Sequence, residues 1–371
     1  MLVTSKYRLA TLATKSNVYS VVGSAHNRIR VHAFSTSFWR RTITATPHSD
    51  PTKSEAPPPA TKQGEQLERF QSLAEANTTN VNRDNDLAKP DRHDLSPAAW
   101  AHPGFNFIDM NNVAVAHHEP KNFADKIARN ALLTVRWCFD KATGYKHPPP
   151  GHEDDPKYIV TDKQWLQRIV FLESIAGVPG MVGGMVRHLQ SLRLLRRDRA
   201  WIETLLEEAY NERMHLLTFM QLTNPGIFMR GMLLIAQGVF FNSFFIAYLV
   251  NPRICHRFVG YLEEEAVVTY TRCINDIEKG LIPSWDNAPV PDIAKKYWKM
   301  ADNATIKDLL YYVRADECKH REVNHTLGNL KQNVDRNPYA FVVDCGREQP
   351  AKDLKSNISH PVGWDRDEIA A

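Results

Sequence analysis

Four glutamates fall on the apolar stripes of four separate helical segments, and this restricts the chain more than any other feature. Around Glu212, the residues Ile202, Leu205, Ala209, Leu216 and Phe219 recur at spacings of three and four, the period of one helix face. Ile306, Leu310, Val313, His320 and Leu327 do the same around Glu317. Glu173 follows Leu166 and Ile169 and precedes Ala176, and Glu263 lies between Val259 and Ala266, ahead of Tyr270 and Ile277. A carboxylate aimed into an apolar core is costly unless it is paired or bound to metal. Two of the four have a histidine three residues on: Glu212-Arg-Met-His215 and Glu317-Cys-Lys-His320. Side chains at i and i+3 leave a helix on one face, so each pair can reach a single cation. One Glu from each of two helices and Glu-x-x-His from each of two others is the ligand pattern of a di-iron or di-manganese centre inside a helical bundle. Oxygen-rich ligation suits iron. The competing reading is four glutamates in ordinary buried ion pairs. A third pair, Glu322-Val-Asn-His325, is turned by about 140° from the Glu317 face and shares its side with Arg314 and Cys318. It reads as solvated.

The helical period dominates from Trp100 to about Leu330, with almost no strand alternation. The pattern predicts six long helices, at about 122–140, 162–188, 199–222, 226–250, 252–279 and 303–329. Asp162, Asp198, Asn251-Pro252 and Asn303 read as start signals, and Gly280 as a stop. The expected class is all-α: a ferritin-like four-helix bundle with a di-iron carboxylate site, plus additional membrane-interface helices. The di-iron bundle domain is expected over 100–335, with 144–162 an irregular connection and 336–371 a loosely structured tail.

Ile227 to Val250 is long enough to cross a bilayer and has Arg230 as its only charge. Yet Glu173, Glu212 and His215 precede it, while Glu263, Glu317 and His320 follow. A single crossing would separate these groups by a hydrocarbon layer about 30 Å thick. The segment 162–188 carries too many charges to supply a second crossing. The helix 226–250 is therefore expected to lie in the membrane interface, offering Phe240, Phe241, Phe244 and Phe245 partly to lipid. Beside it would lie 122–140, with Phe123, Ile127, Leu132 and Leu133 opposite Lys126, Arg129 and Arg136.

The 371 residues carry 46 basic and 42 acidic side chains, a net +4, so no global basic field points to nucleic acid. The balance is uneven along the chain. Lys6, Arg8, Lys15, Arg28, Arg30, Arg40 and Arg41 all precede the first acidic residue, Asp50. Such an Arg- and Ser-rich, acid-free stretch reads as a mitochondrial presequence over 1–41, followed by a disordered linker over 42–99 with Pro57-Pro58-Pro59. Cys138, Cys255, Cys273, Cys318 and Cys345 form no CxxC pair, which suits a reducing compartment.

Four strings, in order, resemble the alternative oxidases of mitochondria over roughly 100–330. They are Leu172-Glu173-Ser174-Ile175-Ala176 with Val178-Pro179-Gly180-Met181; Asn211-Glu212-Arg213-Met214-His215-Leu216; Leu262-Glu263-Glu264-Glu265-Ala266; and Arg314-Ala315-Asp316-Glu317 with His320-Arg321. Ser174 stands where Thr is commoner. No cysteine precedes Cys138, so the plant-type regulatory disulfide has no counterpart, as in fungal-type members. The resemblance implies a cyanide-insensitive enzyme that passes electrons from ubiquinol to dioxygen, forming water without moving protons across the membrane. It implies two iron ions on Glu173, Glu212, His215, Glu263, Glu317 and His320, the same six that periodicity selects. It also implies a redox-active Tyr270 and a quinol pocket of Arg136, Asp140, Arg168, Leu172, Glu265 and Thr269, with Glu265 as proton acceptor. Asn211 and Asp316 look like partners that orient the metal-binding histidines. The implied setting is a homodimer lying on the matrix face of the inner-membrane lipid. The alternatives are another di-iron carboxylate enzyme (a quinone-biosynthesis hydroxylase or plastid-type oxidase), a ferritin-like iron-binding protein, and a membrane-surface protein whose Glu and His are structural.

Overall fold

The computed structural model describes residues 98–149, 151–152, 155–340 and 348–369. The expected presequence and nearly all of the expected linker lie outside the described residues. The helices are α1 (Phe107–Asn111), α2 (Phe123–Thr143), α3 (Asp162–Ala176), α4 (Val178–Leu194), α5 (Trp201–Leu222), α6 (Ile227–Val250), α7 (Pro252–Glu278), α8 (Pro283–Asp286), α9 (Asp292–Trp298), α10 (Ile306–Asn329), α11 (Lys355–Ser359) and α12 (Arg366–Ile369). Among the described residues there is no strand, only an isolated bridge between Pro289 and Thr305.

Capping chemistry places the ends within a few residues of the sequence signals. Thr161, not Asp162, caps α3, in a reciprocal capping box with Gln164. Thr305, not Asn303, does so for α10 with Asp308. Asp198 still serves α5, accepting from the Ile202 amide at 2.7 Å, although the cap position itself is Ala200. The predicted helix 162–188 is two helices. Gly177 ends α3, and Pro179 sits in the first turn of α4, where its missing N–H costs nothing.

Helices α3, α5, α7 and α10 carry the six candidate ligands and enclose the centre of the bundle. Close approach depends on two glycines. A Cβ at Gly180 of α4 would lie 2.4 Å from the Leu205 carbonyl oxygen of α5, and one at Gly260 of α7 would lie 2.5 Å from Nδ1 of His325 on α10. Helix α10 is covered on every side, with nearly all residues from Ile306 to Gly328 buried.

That coverage overturns two expectations. Glu322 and His325 are fully buried, as is Cys318, and Arg314 beside them is buried too. The C-terminal segment is also ordered where described: Leu354 and Trp364 are each 2% exposed, and Arg366 clasps Asp335 at 2.7 Å. The segment lies over the polar side of α10, which the sequence pattern would leave to water.

Helix α6 is apolar and mostly uncovered, but its aromatic side faces inward. Phe244 is buried, and Phe240, Phe241 and Phe245 pack half-buried with Val178, Val182 and Val259. The open side is instead Leu234, Ile235, Val239, Ile246 and Leu249. The phenylalanines recur at i and i+4, so they form one stripe, and the bulkier stripe fills the gap against α4 and α7. Likewise Leu132 of α2 is buried against Ala128 and Tyr261, leaving Phe123, Ile127, Leu133 and Trp137 exposed.

Candidate metal centre

The four ligand-bearing helices bring Glu173, Glu212, His215 and Glu317 into one group, and Glu212, Glu263, Glu317 and His320 into another. Within each group the potential ligand atoms lie within 4.8 Å of one another, and all six residues are buried. Glu212 and Glu317 belong to both groups, the arrangement expected of carboxylates that bridge two cations.

Nδ1 of His215 lies 3.3 Å from Glu173, 3.4 Å from Glu212 and 3.4 Å from Glu317. Nδ1 of His320 lies 2.7 Å from Glu212 and 3.6 Å from Glu317. Close as they are, Glu173 Oε2, both Glu212 oxygens and both histidine Nδ1 atoms are buried without a hydrogen bond. Buried polar atoms are rarely left this way. Five such ligand atoms within two overlapping groups fit a bound cation pair better than ordinary ion pairing.

The electrostatics agree. Burial pushes the Glu173 carboxyl up to about 8, despite His215 beside it, and burial with Glu317 and Glu212 nearby holds Glu263 well above the usual carboxylate range. Burial works against the charge on Glu212 too, but His215 and His320 hold it well below the usual carboxylate range. Both histidines are raised, since the carboxylates outweigh burial, Glu212 foremost. Four carboxylates in a dry pocket require positive charge, and without metal only shared protons supply it.

Asp316 supports His215 from behind. Its Oδ2 accepts from His215 Nε2 at 3.1 Å, from Trp298 Nε1 at 2.8 Å and from Asn211 Nδ2 at 3.2 Å. Burial would raise Asp316, but His102 and His215 hold it far below the ordinary range. Asn211 is therefore linked to His215 through Asp316. Trp298, Tyr297 (bonded to Asn211 at 3.0 Å) and His102 were not singled out from the sequence. They lie in short helices or loops, where no periodicity marks an inward side. Glu208, one turn before Glu212, is also buried; burial pushes it up to about 7, and it accepts from Asn324 at 2.8 Å.

Tyr270 donates its hydroxyl to Glu173 Oε1. Burial, with Glu173 and Glu317 close by, raises it well above the usual phenol value, so it holds its proton. Glu173, Glu263, Glu317 and Tyr270 also line a cavity of about 130 Å³. Arg136, Arg168, Leu172, Glu265 and Thr269 line it as well. Asp140 lies behind this wall, 2.8 Å from Arg168 and 3.7 Å from Arg136, while Arg136 also pairs with Glu265. The Thr269 hydroxyl is committed to the Glu265 carbonyl at 2.7 Å. Glu322 and His325 stand outside the metal cluster. His325 bonds Glu264 at 2.8 Å and Arg257 at 2.7 Å.

A helical bundle closed around two overlapping carboxylate–histidine groups that could each hold a metal ion is the architecture of the carboxylate-bridged metalloenzymes. The family model for alternative oxidase matches residues 106–329. Mitochondrial alternative oxidase of Emericella nidulans is 60% identical over 273 residues, covering 73% of this chain and 77% of that protein. That of Aspergillus niger is 59% identical over 276 residues (73% and 77%), and that of Yarrowia lipolytica 59% over 273 residues (74% and 77%). The chain belongs to the alternative oxidase family and is an oxidoreductase. The relatives are named as mitochondrial, and the acid-free basic N-terminal stretch agrees with that compartment.

Proposed function

We propose that this chain is a cyanide-insensitive ubiquinol oxidase that transfers four electrons from two quinols to one dioxygen, giving two quinones and two waters. The observation that carries the reading is the cavity: three candidate metal ligands and Tyr270 line the same space as Arg136, Arg168 and Glu265. Nε and Nη1 of Arg168 are buried without partners, so a quinol oxygen placed there would satisfy donors that otherwise stand idle. The Arg168 guanidinium sits 3.8 Å over the Tyr145 ring and 4.7 Å from Phe139, which fixes its plane. Glu265, paired with Arg136, is the acceptor for a proton released as the quinol is oxidised.

Glu173, Glu212, His215, Glu263, Glu317 and His320 would hold two iron ions, whose contribution when bound would be one-electron redox chemistry beside the cavity. Four carboxylate charges against two divalent cations leave the buried site neutral, which favours this stoichiometry. Tyr270 keeps its hydroxyl proton directed at Glu173 and would be placed to supply an electron and that proton beside the metals, a role for which a quinol in the same cavity is the reductant that restores it.

The protein acts on one face of the mitochondrial inner membrane, the matrix face, as a homodimer. In support, only 11% of the apolar window of α6 is buried within the protein, and α2 adds exposed Phe123 and Trp137. An apolar sheet of this kind suits the acyl boundary, from which quinol would enter the cavity. With the chemistry on one side, no charge crosses the bilayer.

The test is iron analysis of purified protein with ubiquinol-dependent oxygen uptake in cyanide. Two irons per chain and cyanide-resistant uptake are expected. Glu212→Ala should lose both, because it removes a carboxylate common to the two groups. Metal-free wild-type protein, or uptake indifferent to quinol, would overturn the reading.

A further inference from the structure

His102 lies ahead of α1, in a stretch without regular secondary structure, yet it is only 3% exposed. Its Nδ1 receives the backbone N–H of Gly104 at 3.0 Å. That bond makes Nδ1 the acceptor, so the ring hydrogen sits on Nε2, which points at Asp316 Oδ1 at 2.8 Å. Aromatic rings pin the imidazole: Phe105 at 4.7 Å and Tyr297 at 5.5 Å, both edge-on. The bond joins positions 214 residues apart in sequence.

The two oxygens of Asp316 have different loads. Oδ2 accepts from Trp298, Asn211 and His215, whereas among the described residues His102 is the only partner of Oδ1. Rotation about the Cβ–Cγ bond would move both oxygens together and carry Oδ2 off its three donors. The fourth donor, on Oδ1, opposes that rotation and satisfies an acceptor that is otherwise buried without a partner among the described residues. The direction in which Oδ2 presents itself to Nε2 of His215 sets the azimuth of that ring, and with it the direction of Nδ1 into the cluster.

Resting on the reading of Glu173, Glu212, His215, Glu263, Glu317 and His320 as metal ligands, we propose that His102 is a positioning residue for the metal centre. It locks Asp316 so that His215 presents Nδ1 at a fixed angle. The segment before the bundle is thus part of the site, acting through one imidazole at two removes from the metal.

The experiment compares full-length iron-loaded wild type with His102→Phe and His102→Gln. Phe keeps the ring packing and removes the donor; Gln restores an N–H at similar reach. Iron retention against a graded chelator challenge, the Mössbauer spectrum, and kcat with quinol KM are measured. A partner bonded directly to a metal-binding histidine is worth about 10- to 100-fold in metal affinity or activity, and one step further back the expectation is the lower end, about 10-fold. His102→Phe should fall by that factor in iron affinity or kcat, shift the signal of one iron and leave quinol KM unchanged; His102→Gln should recover most of the loss. Equal iron affinity, an unchanged spectrum and unchanged kcat in His102→Phe would overturn the proposal. So would a His102→Gln variant as impaired as His102→Phe, since packing would then be the cause. A wild type that holds no iron refutes the ligand reading itself, and the proposal with it.

Discussion

Replacing Glu322 by alanine should destabilise this protein severely while leaving its metal centre chemically complete. The Glu322 carboxylate is fully buried and receives Lys319 Nζ at 2.8 Å, Trp364 Nε1 at 3.0 Å, Ser356 Oγ at 3.0 Å and the Tyr339 hydroxyl at 3.1 Å. Lys319 is itself only 7% exposed, so alanine strands an ammonium group in the interior. Removing one partner of a buried pair costs about 3–5 kcal/mol. Stranded neutral donors add about 1–3 kcal/mol each where water does not replace the acceptor, and the terms are not additive. A total near 4 kcal/mol lowers the melting temperature of a domain this large by roughly 8–16 °C. Glu322→Gln, which keeps an acceptor oxygen but no charge, should fall between the two. Circular dichroism melts of the three proteins in one detergent, with iron per folded chain, give both quantities. The alanine variant should also expose residues 348–369 to protease, because Trp364 and Ser356 lose their anchor. A drop below about 3 °C would refute the burial argument. Loss of iron at unchanged stability would place Glu322 in the metal site instead.

Tyr270→Phe keeps the buried ring and removes only the hydroxyl given to Glu173; iron content should stay within error while quinol oxidase kcat falls at least tenfold, and full turnover would reduce Tyr270 to packing. Gly180→Ala gains about 1 kcal/mol of helix propensity but drives a Cβ to within 2.4 Å of a backbone oxygen, so separation of α4 and α5 should win by about 1–3 kcal/mol; a rise in melting temperature would show that the contact yields. Burial holds His256 down to about 3, so it is neutral in the fold and takes up a proton more readily when unfolded. Its stabilisation is full above pH 6.5 and is lost as pH falls towards 3. Between pH 7 and 4.5 the wild type should lose about 2–3 kcal/mol more than His256→Gln in urea unfolding, and parallel losses would contradict the assignment.

The amino-acid sequence by itself determined the long helices, apart from the break at Gly177, and the inward side of the four that carry Glu173, Glu212, Glu263 and Glu317. The physical reason is local: a 3.6-residue period reports the burial of one face, and a glutamate inside an apolar stripe stands out against its own neighbours. Glu173, Glu212, Glu263 and Glu317 were legible for that cause, although no two of them are close in sequence. Only the tertiary structure decided how many faces of a helix are covered. The polar side of α10 has the letters of a solvated surface, yet it is sealed by the segment carrying Ser356 and Trp364, so Glu322 and His325 end in a dry hydrogen-bonded network. The aromatic stripe of α6 turned to the protein, against Val178, Val182 and Val259, and its aliphatic one outward; both stripes are apolar, so periodicity does not choose between them. His102 was beyond sequence reasoning altogether. A residue in irregular backbone carries no period, and what directs it is a bond to Asp316, 214 positions away, that exists only once the chain has closed on itself.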